Sequence, residues 1–224
     1  MSISHLSDHV KPEALTGFNN TGNVCVWPSE EVLTYYCLNQ LEIFNGKSVI
    51  ELGGGMTCLA GVALSIMSDV TYTELTDGNK DSVSNLDKII AKNRSQFNKS
   101  KVTSSVVRWG PGETINQDMI EVFDYVLCAD CFFFEEGRED LVKLIYKLLK
   151  QDGEAILFAP KRGKTFDAFV TLADAVFNTE VKENYDDTIW DIHCKMKEKG
   201  TDAYDPDIHY PCFVHLSKKS NSDK

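Results

Sequence analysis

Nowhere does the chain run apolar for the roughly 18 residues that suggest a membrane-spanning helix, so none is expected. The stretch from Met1 to Pro12 is polar and carries no apolar core of the secretory-signal kind. Positive charge is scarce: 23 Lys and Arg against 34 Asp and Glu give a net charge of −11 and a pI near 4.9. A general nucleic-acid binder needs a basic footprint to displace counterions from phosphate, so that class is set aside and only a local basic patch remains open. No P-loop, no serine nucleophile elbow, no internal repeat and no low-complexity tract is present.

What is there is ordinary for a folded protein. Apolar residues make up 42% and charged residues 25% of 224 positions. That length suits one domain with embellishments and buries roughly 70% of the unfolded surface, enough for a core. Seven cysteines, an odd number without a secretory signal, read as reduced thiols in the cytosol or nucleus.

Texture divides the chain into a polar lead-in over 1–24, a folded domain over 25–217 and a frayed tail over 218–224. Ser29 is placed to cap a helix carrying Val32, Leu33, Tyr36, Cys37 and Leu41. Strands are expected at Ser48–Leu52, Val70–Leu75, Val102–Val107, Phe123–Ala129, Glu154–Ala159, Glu180–Tyr185 and His209–Leu216. Between them helices are expected at 57–67, Asn79–Asn93, Glu139–Lys150 and 165–177, with helix plus loop over 187–208. Short apolar strands alternating with helices predict an open, mainly parallel α/β sheet covered on both faces.

Ligands of such sheets bind past the carboxyl ends of the strands, where the strand order reverses. The first strand runs into Glu51-Leu52-Gly53-Gly54-Gly55-Met56-Thr57, an E-x-G-x-G-x-T pattern. The dinucleotide fingerprint G-x-G-x-x-G fails because position 58 is Cys. The glycines let backbone approach a nucleotide-type ligand closely, or they serve only a tight strand–helix turn. Asp77 ends the second strand, where a carboxylate either grips ribose hydroxyls or caps the next helix. Glu74 is an in-strand rival for the first role. Trp109 follows the third strand as a candidate adenine neighbour, or as a rim aromatic. Asp130 precedes Cys131, Phe132, Phe133 and Phe134, an acid beside aromatics that suits a cationic group. Cys128 and Cys131 form a lone CxxC without a second pair, a poor basis for a metal site.

Taken together, SVIELGGGMTCLAG, TDGN, a Trp after the third strand and ADCFF resemble the seven-strand S-adenosylmethionine-dependent methyltransferases. More narrowly, they resemble lysine methyltransferase family 16. The segments at 15–38, 158–163 (FAPKRG), 183–187 (ENYDD) and 209–211 (HYP) are similar to the members of that branch that act on calmodulin. The resemblance implies a Rossmann-like seven-strand sheet, mainly parallel with an antiparallel C-terminal strand, and trimethylation of a calmodulin lysine using S-adenosyl-L-methionine. It implies cofactor contacts from Trp27, from Glu51 and Gly53, Gly54 and Gly55 of the glycine motif, from Asp77 at the ribose, and from Trp109 and Ala129 at the adenine. It implies an acceptor site built on Asp130, which orients the amine, and Phe133, a channel wall, with Phe132 or Phe134 as alternatives. Tyr185 is a second channel candidate. Because calmodulin is itself acidic, local basic surface is expected, either Lys161, Arg162 and Lys164 or Lys195, Lys197 and Lys199.

Overall fold

The computed structural model describes residues 1–3, 25–200 and 204–219. Strand β1 (Ser48–Leu52) is buried at every position, which requires neighbours on both edges and helices on both faces. It lies inside a seven-stranded sheet ordered β3-β2-β1-β4-β5-β7-β6. The other strands are β2 (Tyr72–Asp77), β3 (Lys101–Val106), β4 (Phe123–Ala129), β5 (Leu149–Ala159), β6 (Phe177–Lys182) and β7 (Cys212–Lys218). All pairings from β3 to β5 are parallel. Strand β7 runs antiparallel between β5 and β6, the one reversed strand the sequence placed at the end.

Alternation along the strands sorts the core. Ile50, Leu52, Val126, Cys128 and Leu157 belong to one cluster with Leu141 and Ile145 of α4 (Glu135–Leu148) and Phe166 and Phe169 of α5 (Thr165–Ala173). Val49, Leu127, Ile156 and Phe158 belong to another with α1 (Pro28–Asn39) and α2 (Leu59–Met67). Helix α3 (Lys80–Asn93) sends Leu86 and Ile89 to join Leu75 and Val62. The chain winds outward from β1 through β2 to β3, and in the other direction through β4 to β5. The crevice beyond β1 and β4 is therefore the switch point.

Four local expectations differ from the structure. Strand β5 starts at Leu149, running through the expected turn at Gln151-Asp152-Gly153. That stretch has no partner in β4, because the register jumps from Phe123–Leu149 to Tyr125–Glu154, and it passes so close to β4 that a Cβ on Gly153 would sit 2.9 Å from the Phe123 carbonyl oxygen. Helix α1 has Trp27, not Ser29, at its N-cap position, with Pro28 inside its first turn. Strand β6 ends before Tyr185 because Phe177, fully buried, anchors it further upstream. Lys218, assigned to the frayed tail, closes β7 and is buried, its ammonium donating to the Leu149 carbonyl at 2.6 Å.

The lead-in over 4–24 lies outside the described residues. Its first three are placed: the Ser2 amide donates to Asn93 Oδ1 and Asn93 Nδ2 returns a bond to the Ser2 carbonyl, each at 2.7 Å. Beyond β6 stand α6 (Asp187–Glu198) and the one-turn helix α7 (Pro206–His209). No helix among the described residues is long and apolar enough to cross a membrane.

Candidate active site

The glycine motif after β1 folds over the carboxyl ends of its neighbours. Gly53 has φ +63°, and a Cβ there would lie 2.7 Å from Cys131 Sγ and 3.0 Å from Trp109 Cη2. Segments after β1, β3 and β4 thus meet at one point that tolerates no side chain. The Gly54 amide donates to the Thr76 carbonyl at 3.1 Å. The Gly55 amide donates to Asp77 Oδ2 at 3.0 Å, and the Asn79 amide to Asp77 Oδ1 at 2.8 Å. The Ser82 side chain also hydrogen-bonds this carboxylate, and acceptor capacity for a further hydroxyl remains. Burial pushes the Asp77 carboxyl above its usual range, against the pull of those amides. Helix α3 is capped by Asn79, whose side chain accepts from the Asp81 and Ser82 amides, so the capping alternative for Asp77 falls away. Glu74 faces Tyr72, Thr103 and Ser105, whose hydroxyls all donate to it, and plays no part at the carboxyl end.

Glu51 is a correction. It shares a strand face with Val49, so the period of two turns its side chain under α2 and leaves it with no exposure. There Oε2 accepts from the Gly61 amide at 2.6 Å. Glu51 supports the loop from beneath instead of facing a ligand. Trp27, 36% exposed, stands at the start of α1. One turn on, Glu30 accepts from Thr57 Oγ1 at 2.6 Å and the Leu59 amide at 2.7 Å, which pins that end of α1 to the glycine motif.

On the β4 side, Ala129 is half-buried and its carbonyl accepts from Cys131 Sγ at 3.4 Å. The thiol also approaches the Leu52 carbonyl at 3.6 Å, so the CxxC closes the β1–β4 crevice as free thiols. Asp130 has φ +54° and its amide donates to the Phe158 carbonyl at 2.8 Å. Its carboxylate is gripped by Arg162, with Nε 3.2 Å from Oδ1 and Nη2 2.5 Å from Oδ2. Burial raises the Asp130 carboxyl above its usual range and the guanidinium opposes that rise. Phe133 and Phe134 are half-buried with ring centroids 4.4 Å apart. Phe132 is removed as a channel candidate, because its ring is 1% exposed and stacks on Phe169 at 3.8 Å.

Tyr185 is held at its tip. Its hydroxyl donates to the Pro211 carbonyl at 2.8 Å and its ring, half-buried, lies against Phe158 at 5.0 Å, so any part it takes in a channel is played by the ring and not by the hydroxyl. The basic patch at 161–164 is not free either. Lys161, though exposed, pairs with Glu183 and Arg162 pairs with Asp130, which leaves Lys164 as the cation of this patch outside an ion pair among the described residues.

Comparison with known proteins now adds to this geometry. The family model described as "Lysine methyltransferase" matches residues 11–183. The chain belongs to the lysine methyltransferase family. It is 35% identical over 207 residues to calmodulin-lysine N-methyltransferase of Arabidopsis thaliana, covering 90% of this chain and 67% of that protein. It is 30% identical over 169 residues to EEF1A lysine methyltransferase 3 of Xenopus tropicalis, covering 73% and 70%. The chain spans about two thirds of the length of these curated relatives. Among solved structures it is similar to the complex between the Haloferax volcanii Trm112 methyltransferase activator and the putative methyltransferase, with TM-score 0.59 and 13% identity, covering 86% of this chain and 91% of that one. At that identity the likeness concerns the fold alone.

Three residues of this lysine methyltransferase escaped the sequence reading. Glu30 was not singled out, yet its carboxyl is pushed up to about 7 by burial, with Asp77 and Glu31 adding to the rise. Arg162 read as surface charge because its partner lies 32 residues earlier. Cys131 was weighed only as half of a CxxC, whereas its sulfur stands over Gly53. The one available signal for Arg162 was its place just after a strand that ends at the ligand face.

Proposed function

We propose that this chain is an S-adenosylmethionine-dependent protein-lysine N-methyltransferase that trimethylates a lysine of calmodulin. The observation that carries the reading is the meeting of two half-sites in one crevice. A glycine loop fastened by Asp77 lies on the β1–β2 side, and Asp130 with Phe133 and Phe134 lies on the β4 side. The choice of calmodulin rests on the 35% identity to the Arabidopsis enzyme across 90% of this chain.

The residues present fit the cofactor. Asp77 keeps acceptor capacity for ribose hydroxyls, the glycine loop presents bare backbone at the carboxyl end of β1 for the methionine part, and we assign the adenine seat to the half-buried Trp109 and Ala129. When bound, S-adenosylmethionine supplies an electrophilic methyl group on a sulfonium. The chain's own work is on the amine. An unperturbed lysine has a pKa of about 10.4, so holding it neutral at pH 7 costs about 4.6 kcal/mol. A channel walled by Phe133 and Phe134 excludes water and favours the neutral form. Asp130 accepts a hydrogen bond from the amine and aligns it. The cytosol or nucleus is the compartment we propose, from the odd cysteine count of the sequence.

The test is transfer of labelled methyl from S-adenosylmethionine to purified unmethylated calmodulin, with Asp130→Ala beside the wild type. Label on a calmodulin lysine, lost in the variant, is the expected result. Binding of S-adenosylhomocysteine without transfer would keep the enzyme class and discard the substrate; the similarity to EEF1A lysine methyltransferase 3 makes another protein lysine the second reading.

A further inference from the structure

Helix α6 belongs to the segment that leaves β6 and returns at β7. Strands β5 and β6 both run antiparallel to β7, so they point the same way and this segment emerges at the sheet end that carries Asp130. It is tied to the site. Asp207 of α7 accepts the Arg162 amide on its carbonyl at 2.8 Å and the Gly163 amide on Oδ2 at 2.6 Å, and Arg162 in turn holds Asp130.

The inner side of α6 is accounted for. His193 is buried against Tyr210 at 3.9 Å and meets the Tyr204 hydroxyl at 2.6 Å, while Trp190 packs on Tyr210 at 5.9 Å. The outer side is unusual. Ile192 is 49% and Met196 40% exposed. Lys195 and Lys199, both exposed, fall between and beyond them. The spacing 192, 195, 196, 199 is one helical stripe. Among the described residues neither lysine makes an ion pair. The acids of the helix, Asp187, Asp191 and Glu198, lie on the neighbouring stripe. An apolar and basic stripe is out of character for a chain of net charge −11.

We propose that the Ile192–Lys195–Met196–Lys199 stripe of α6 is the docking surface for the acidic protein substrate, which the reading above takes to be calmodulin. Charge complementarity selects the occupant. Much of the surface repels an acidic protein, so encounter is steered to exposed lysines outside ion pairs, of which Lys195 and Lys199 stand beside the exposed Ile192 and Met196. The stripe also offers Ile192 and Met196, beside its two lysines, as apolar anchors for a partner that is itself acidic with exposed apolar side chains. Docking there places the partner on the segment clamped to the Asp130–Arg162 pair.

The test compares Lys195→Glu/Lys199→Glu, Ile192→Ala/Met196→Ala, and a control with the same charge change on α3, Lys88→Glu/Lys92→Glu. Calmodulin methylation is measured for KM and kcat, and binding of unmethylated calmodulin and of S-adenosylhomocysteine is titrated separately. Both α6 variants are expected to raise KM, the charge reversal by about tenfold or more with a weaker salt dependence, at unchanged kcat and cofactor affinity. The α3 control should stay near wild type. Equal losses in the control, or an unchanged KM in both α6 variants, overturn the docking surface while leaving the substrate standing. If the wild type binds calmodulin without methylating it and the α6 variants weaken that binding, the surface stands and the substrate falls. If the wild type neither binds nor methylates calmodulin, both are overturned.

Discussion

Asp130 and Arg162 hold each other in a forked ion pair while both stand in left-handed backbone, at φ +54° and +42°. Each is the kind of conformation that costs a non-glycine residue roughly 1–3 kcal/mol and survives only where its surroundings dictate it. Here the surroundings are visible. The Asp130 amide is committed to Phe158 and the Arg162 amide to Asp207, so the two loops that follow β4 and β5 are locked before the side chains meet. The guanidinium satisfies a carboxylate that would otherwise sit desolvated among aromatics. It also occupies the oxygens that an acceptor amine would use, so substrate and Arg162 compete for one carboxylate.

The first prediction follows from that competition. Burial raises the Asp130 carboxyl and Arg162 restrains the rise. Removing the cation in Arg162→Gln should therefore let the Asp130 proton bind more tightly. The acid limb of the kcat/KM profile should move to higher pH, while Arg162→Lys, which keeps charge but not the fork, should move it less. Superimposable profiles for all three proteins would mean that Asp130 ionisation is not what the activity reads.

A second prediction concerns Glu30. Its pKa is raised from 4.5 to about 7, chiefly by burial, and the fully buried Glu51 carboxyl is raised by burial and by Glu30. The folded protein thus holds the Glu30 proton more tightly than the unfolded chain does. The stability this contributes is complete below pH 4.5 and is lost as pH rises through about 7. The loss amounts to at most roughly 3 kcal/mol, at about 1.4 kcal/mol for each pH unit of separation. Glu30→Gln keeps an oxygen for Thr57 and the Leu59 amide but cannot ionise, so urea unfolding between pH 5 and 8 should show a flatter pH dependence than the wild type. Parallel curves would show that Glu30 does not titrate in this window.

Much of this architecture was legible because its signals are local. Phe123–Ala129 is an apolar run with clear ends, and β4 has those same limits. Asn79–Asn93 has helical periodicity, and α3 begins one residue later with Asn79 as its cap. What was not legible depends on distance in the chain. Gly153 looked like a turn because nothing nearby reveals that Leu149, before it, already pairs with Phe123 of β4. Lys218 looked like tail because composition does not show that its ammonium lies over the Tyr146 ring at 4.5 Å and reaches the Leu149 carbonyl. Glu51 looked like a ligand contact because the motif names it, but strand alternation decides which way it points. The site was readable as a set of strand-end residues; the partners Arg162, Glu30 and Cys131, which set their chemistry, come from other segments.

The last prediction concerns Gly53, where three segments touch. An added methyl meets Cys131 Sγ at 2.7 Å and the Trp109 ring at 3.0 Å, on a backbone at φ +63°. Left-handed backbone costs an alanine roughly 1–2 kcal/mol, and forcing a methyl into a packed site costs a further 1–3 kcal/mol or so. Gly53→Ala should therefore lower the melting temperature by several degrees. It should also weaken S-adenosylhomocysteine binding by about tenfold or more, because the cheapest relief is to push the indole toward the space the adenine needs. The two effects can be separated. Gly53→Ala/Cys131→Ala removes the nearer obstacle but neither the backbone strain nor the contact with Trp109, so it should recover part of the melting temperature and little of the affinity. If affinity returned together with stability, the weakened binding would be a consequence of a loosened fold, and Trp109 would have no place beside the cofactor.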